Sequence, residues 1–271
     1  MKYFVYFLKG LLIGVAFLSG LSGGTMMIIL GVFDEAIHSL NEFLHFKFYK
    51  FDLMVILLVG MAIGIFLFSG VIDYLTTNYH QLTFYFLTGL VGGGILELND
   101  NIEWKKVNFN GWVSFTVGLV VVIVMMFYNG TLVDLSGEFT IFHAILLVLL
   151  GVPIAAAIIL PGISTMVILN IFGLYNRIVS AISNLEWIIL IPLVIGVMLG
   201  VVLLTGLLEN QLSKHPLRSY LIILGFVVGS IFDLLMDAGI PGGINILWSI
   251  LLLALGYLSV VAMRKLSAKY K

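Results

Sequence analysis

Two short stretches carry the residue types best suited to chemistry. LSGLSGGT ends in Ser22, Gly23, Gly24 and Thr25, and LPGIST holds Gly162, Ser164 and Thr165. Glycine lets a backbone approach a ligand closely, and serine and threonine hydroxyls both donate and accept hydrogen bonds. A helix that restarts after such a break exposes unpaired amides at its first turn, together with the positive end of its dipole. That arrangement suits a phosphate or a carboxylate. A plainer role competes with it, in which the serines cap their own helices and the glycines make the turn.

The elements that hold these breaks are membrane helices. Of the 271 residues, 61% are hydrophobic and only 10% charged, with a mean hydropathy of +1.18, too few polar groups to clothe a soluble globule. The net charge of -1 speaks against a nucleic-acid surface. With no cysteine there is no disulfide, thiolate metal site or cysteine nucleophile. Apolar runs at 53–72, 82–96, 111–128, 187–208, 219–232 and 244–263 predict six crossings, since about 20 apolar residues span the hydrocarbon. The short runs, 82–96 and 219–232, are expected to extend with polar ends.

The broken regions 10–33 and 141–176 remain. Their pieces, such as Gly10 to Gly20 and Ser22 to Phe33, are too short to cross comfortably, so each region is expected to dip into the membrane and return. Residues 1–23 also have the basic start, apolar core and small residues of a signal peptide. Cleavage is not expected, because the segment recurs later in the chain. With the N-terminus cytoplasmic, 12 of the 13 Lys and Arg residues fall inside and only Arg177 falls outside.

At an offset of 142, Leu18, Gly20, Leu21, Ser22, Gly31, Val32, Phe33 and Asp34 superpose on Leu160, Gly162, Ile163, Ser164, Gly173, Leu174, Tyr175 and Asn176. At an offset of 136, Gly60, Gly64, Gly89 and Gly93 fall on Gly196, Gly200, Gly225 and Gly229, and Glu97 falls on Asp233. The expected fold is an all-α integral membrane protein in one transmembrane domain, built from two inverted repeats over about 1–130 and 138–271. Each half has a re-entrant helical hairpin plus three transmembrane helices, an odd number that reverses the second half, and both termini are cytoplasmic. The two breaks would then meet near the bilayer middle. Glycines four apart also pack helices closely without any further role.

Other polar residues have narrower prospects. Arg177 follows the second break by 13 residues, about 20 Å along a helix, and is either an outer capture point for an anion or a salt-bridge partner of Glu186 or Glu138. Glu35, Glu97 and Asp233 are candidates for coupling or gating, against the ordinary fate of helix-end acids, solvation. Asn170, in an apolar run, needs an interhelical partner or serves as a gate. The five histidines show no metal spacing. Trp104, Trp112 and Trp248 read as interface anchors.

LSGLSGGTMMIILGVFDEAI and ILPGISTMVILNIFGLYNRIVSAI resemble the duplicated signatures of the PopT polyprenyl-phosphate transporter family. The chain departs from the family pattern at Ser19, where proline is usual; Pro161 keeps it. The resemblance implies translocation of undecaprenyl phosphate across the bacterial cytoplasmic membrane, from outer to inner leaflet, for reuse in cell-wall polymer synthesis. It implies undecaprenyl phosphate and bilayer lipids as partners, no nucleic acid, no cofactor, proton or sodium coupling as an option, and room for a homo-oligomer. An ion-coupled transporter of a small soluble anion would have the same topology. A lipid phosphatase would need a nucleophile with its acid or base, and no histidine lies beside the breaks in sequence.

Overall fold

The computed structural model describes residues 2–19, 21–128 and 140–269; Gly20, Glu138 and the external loop expected at 129–139 lie outside the described residues. Twelve α-helices account for most of the described chain. The first six are α1 (Lys2–Leu18), α2 (Gly23–Ile29), α3 (Phe33–Leu44), α4 (Phe51–Asn78), α5 (His80–Asp100) and α6 (Phe109–Phe127), with a 3-10 turn at Trp104–Lys106. The second six are α7 (Ile141–Ile159), α8 (Thr165–Ile171), α9 (Tyr175–Ser183), α10 (Trp187–Lys214), α11 (Pro216–Ala238) and α12 (Asn245–Lys269).

Seven of these, α4, α5, α6, α7, α10, α11 and α12, are long and apolar enough to cross a membrane. Large apolar side chains stay on the outside, such as Phe66 at 84% and Ile141 at 82% exposure, as expected where hydrocarbon replaces water. The molecule is a multi-pass membrane protein. The two short runs do extend with polar ends, to 21 residues in α5 and 23 in α11. The broken regions differ from expectation. Their first arms are not short pieces: α1 has 17 residues and α7 has 19. Their second arms are divided again, at Gly31 and at Gly173.

That second division is the same turn built twice. The Gly31 amide donates to the Ile28 carbonyl and the Val32 amide to that of Met27; Gly173 and Leu174 do the same with Asn170 and Leu169. The pattern is a Schellman helix stop, which needs a left-handed residue, and φ is +62° at Gly31 and +70° at Gly173. Below the turn, α3 and α9 put charged residues back into the chain after the apolar tips.

Glycine ridges set how the long helices pack. A Cβ on Gly10 would meet the Leu57 backbone, and one on Gly14 the Met61 backbone, while Gly60 and Gly64 face Phe7 and Leu11. Positions rise together, so α1 and α4 are parallel, and α2 and α3 return the chain between them. Gly151, Gly196 and Gly200 set the same parallel contact between α7 and α10; Gly118 with Gly225 does so for α6 and α11, and Gly89 with Gly256 for α5 and α12. Backbone-to-backbone contact of this kind is how helices associate where hydrophobicity offers no drive. The Lys50 ammonium at the start of α4 pairs with Glu35 of α3 at 2.6 Å, and Glu209 near the end of α10 pairs with His38, also of α3. Hence α4 begins where α10 ends, and the two run in opposite directions. The most deeply buried long helix is α11, which packs against α5 in the core with Val91, Leu221 and Val227.

Candidate functional site

The two breaks touch. Ser22 Oγ donates to the Leu160 carbonyl at 3.1 Å, and the Gly162 amide donates to Thr25 Oγ1 at 2.8 Å. Ser22 is 8% exposed and Thr25 2%. Neither Ser22 nor Ser164 caps its own helix with its side chain, so their hydroxyls are not spent on capping. Each short helix starts where expected, α2 at Gly23 and α8 at Thr165. Ser164 and Thr165 are half-buried, and neither side chain is hydrogen-bonded to a described residue.

The glycines divide by role. A Cβ on Gly24 would lie 2.7 Å from the Ile159 carbonyl oxygen, and one on Gly162, whose φ is +79°, 2.4 Å from the Phe226 backbone. The close approach they allow is that of protein backbone. Gly23 has only Ile13 Cγ2 nearby, at 3.9 Å.

Asp233 lies at the second break. With Gly162, Ser164, Val122, Met125 and Met126 it lines a crevice of only about 10 Å³, and no hydrogen bond or ion pair joins it to a described residue. Glu97 has a different setting. It accepts from Arg264 Nε at 3.1 Å, and Arg264 also bridges to Asp100. Glu97 lines an open cleft of about 560 Å³ between α1, α5 and α12, and its Oε1 lies 3.0 Å from where a Cβ on Gly31 would be.

Arg177 and Glu186 form a two-bonded pair, at 2.9 and 2.6 Å, the salt bridge that sequence offered as the alternative to anion capture. The guanidinium holds the Glu186 carboxyl below the ordinary glutamate value. Glu35 is knitted into the first turn of α3 by Tyr6 Oη and Lys50 Nζ. Burial raises its pKa, but those two donors outweigh it and hold the carboxyl below the ordinary value. Asn170 is exposed, without the interhelical hydrogen bond expected for it among the described residues.

Residues 13–240 match the model of the VCA0040-like family, described as undecaprenyl phosphate translocase-like. The chain belongs to that family. It is similar to the polyprenyl-phosphate transporter of Staphylococcus aureus, 26% identical over 280 residues, covering 97% of this chain and 96% of that one. It is also similar to the polyprenyl-phosphate transporter of Vibrio cholerae, 25% identical over 247 residues, covering 85% of this chain and 77% of that one. No solved structure matches. The resemblance carried by the two signatures in the sequence is thus borne out.

In this member of the VCA0040-like family the sequence reading missed Lys9, Arg264 and the His38–Glu209 pair. Arg264 had a signal. Gly256 and Val260 of α12 face Gly89 and Gly93 of α5, so one further turn places Arg264 against Glu97. On the other side Gly118 and Val122 of α6 face Gly225 and Gly229 of α11, and the same step places Met126 against Asp233. The register that gives Glu97 a cation gives Asp233 a thioether.

Proposed function

We propose that this chain carries a polyprenyl phosphate, undecaprenyl phosphate in bacteria, across the cytoplasmic membrane from the outer to the inner leaflet, returning the lipid carrier for cell-wall polymer synthesis. The observation that supports it most is the contact between the two breaks, made by Ser22 and Thr25 on one side and Leu160 and Gly162 on the other. The names of the two relatives, each a polyprenyl-phosphate transporter, supply the substrate class. A phosphate headgroup cannot enter hydrocarbon cheaply, whereas a prenyl tail need not leave it.

In this reading the halves are inverted repeats, the broken regions are re-entrant hairpins, and both termini are cytoplasmic. The headgroup comes between the tips and takes over the hydrogen bonds they now give each other. Ser22, Thr25, Ser164 and Thr165 supply hydroxyls, and Gly23, Gly24 and Gly162 set the backbone. Rocking one half against the other exposes the site to each leaflet in turn. Arg177 attracts the phosphate from outside by exchanging Glu186 for it. Asp233, beside Ser164 and without a cation, carries a coupling proton or sodium ion; Glu97, Glu35 and Asn170 act in gating.

Reconstitution in liposomes with a sided assay of undecaprenyl phosphate tests this, with and without pH and sodium gradients. Transbilayer movement that falls in the Ser22→Ala, Ser164→Ala double variant is the expected result. No movement by the wild-type chain under any gradient overturns the transport reading, and movement indifferent to both gradients overturns coupling alone.

A further inference from the structure

The return helix α3 lies against α10, and their contact holds polar groups that neither break uses. His38 Nδ1 bonds one oxygen of the Glu209 carboxylate. An ionised carboxylate only accepts, so Nδ1 carries the proton and the ring fixes the carboxylate's orientation. The other carboxylate oxygen, Oε2, is buried with no hydrogen-bond partner among the described residues, and so are Asn41 Oδ1 and Thr205 Oγ1. Asn41 follows His38 by three residues on α3, and Thr205 precedes Glu209 by four on α10, so each pair shares a helix face. Asn41 Oδ1 lies 3.5 Å from where a Cβ on Gly206 would stand, which sets it against the turn of α10 that holds Thr205. Thr205 is 0% exposed.

Leaving buried polar atoms unpaired is costly, and a carboxylate oxygen costs more than a neutral one. Hydroxyl, amide carbonyl and carboxylate are hard oxygen donors, the set that takes an alkali or alkaline-earth cation. Charge decides between those two. Among the described residues no Lys or Arg pairs with Glu209, whose ion-pair partner is His38. With a neutral imidazole the single carboxylate balances one positive charge, whereas a divalent ion would leave a buried charge uncompensated.

We propose that Asn41, Thr205 and Glu209 form a binding site for a monovalent alkali cation, with His38 as the positioning residue that aims the Glu209 carboxylate. The ion joins α3, which follows the first break and its glycine turn, to α10. Its use rests on the transport reading, in which occupancy sets how readily α3 parts from α10 as the halves rock; the existence of the site does not.

The full chain is purified in detergent at pH 8.5, above the ordinary imidazole range, and unfolded by heat. Sodium, titrated against choline at constant ionic strength, is expected to raise the unfolding midpoint saturably. Thr205→Val removes an unpaired hydroxyl at nearly constant shape. Its midpoint in choline should equal or exceed that of wild type, while the sodium concentration for half the effect rises at least about tenfold. Glu209→Gln should abolish the response, and Asp73→Asn, which removes an exposed carboxylate from α4, should keep it. His38→Asn, whose amide can still donate to Glu209, should retain more of the response than His38→Leu. An equal response to potassium makes the site unselective and its absence makes it selective for sodium; both support it. Equal wild-type midpoints in sodium and choline overturn the proposal, as does a response to calcium alone. A sodium response that survives in both Glu209→Gln and Thr205→Val also overturns it, and its loss instead in Asp233→Asn would move the ion to the second break. Lipid transport that ignores sodium, by a chain that binds it, keeps the site and removes only its use; absence of binding leaves the transport reading where it stands.

Discussion

Thr25 Oγ1 accepts from the Gly162 amide where almost no solvent reaches, so Thr25→Val removes an acceptor and leaves a buried N–H unpaired, at a cost of about 1–3 kcal/mol. Ser22→Ala leaves only a carbonyl short of one bond, at about 1 kcal/mol. Thermal unfolding in detergent should rank Thr25→Val below Ser22→Ala, and equal midpoints would contradict the hydrogen bonding described. The glycines give a sharper contrast. Gly24→Ala would press a methyl onto the Ile159 and Pro161 backbone, whereas Gly23→Ala meets only the Ile13 side chain at van der Waals distance. Gly23→Ala should therefore express and unfold as wild type does, and Gly24→Ala should not. Sequence identified these residues by type, because serine, glycine and threonine are conspicuous in an apolar run. The repeat led to the expectation that the two breaks meet, but not to which atoms bond. Ser22 and Leu160 lie 138 positions apart, and nothing local to either signals the bond. Nor did it separate Gly23 from Gly24, since only packing distinguishes two adjacent glycines.

At the scale of elements, the six long apolar runs appear as helices because their length and composition admit little else in a membrane. The arms of the two broken regions were legible less well. The expected first piece began only at Gly10, yet α1 starts at Lys2, because its first turns lie along α4 and reach Leu30 and Glu35. The pair that closes the α9–α10 connection shows how a short loop is held. Arg177 donates twice to Glu186, and the guanidinium's hydrogen bond is the main cause of the lowered carboxyl pKa. A carboxyl whose folded pKa lies below its unfolded value contributes stability above the unfolded value, and that contribution disappears as pH falls through the folded one. Wild type should thus unfold at a higher temperature than Glu186→Gln at neutral pH, with the difference closing on acidification below the ordinary glutamate range. Both side chains are partly exposed, at 35% and 29%, so the effect is small and salt weakens it. A difference that persists unchanged to strongly acidic pH would show that the ionised Glu186 carboxylate is not its source.

For the whole molecule, the asymmetry between two places in equivalent register matters most. Met263 lines the open cleft beside Glu97, and Met125 lines the shut crevice beside Asp233. If the halves rock against each other, the two places exchange states: whatever closes one opens the other, because each is bounded by one helix of the α5–α11 core. A chain with no cysteine is a clean background for testing this. Met263→Cys and Met125→Cys, made singly, shorten the side chain by the same amount at both places, and their reaction with a small polar maleimide reports access to water. In the state described here Met263→Cys should label at least about tenfold faster than Met125→Cys, a gap of about 1.4 kcal/mol in accessibility. Farnesyl monophosphate, or a pH gradient across reconstituted vesicles, should then move the two rates in opposite directions. Rates that rise or fall together would mean that the molecule loosens as a body, and the exchange of two states would have to be abandoned. Ligand-induced slowing at Met263→Cys with no gain at Met125→Cys would be simple occlusion of the cleft. That outcome would also count against exchange, since a population shifted away from the open cleft must appear as opening at the other end.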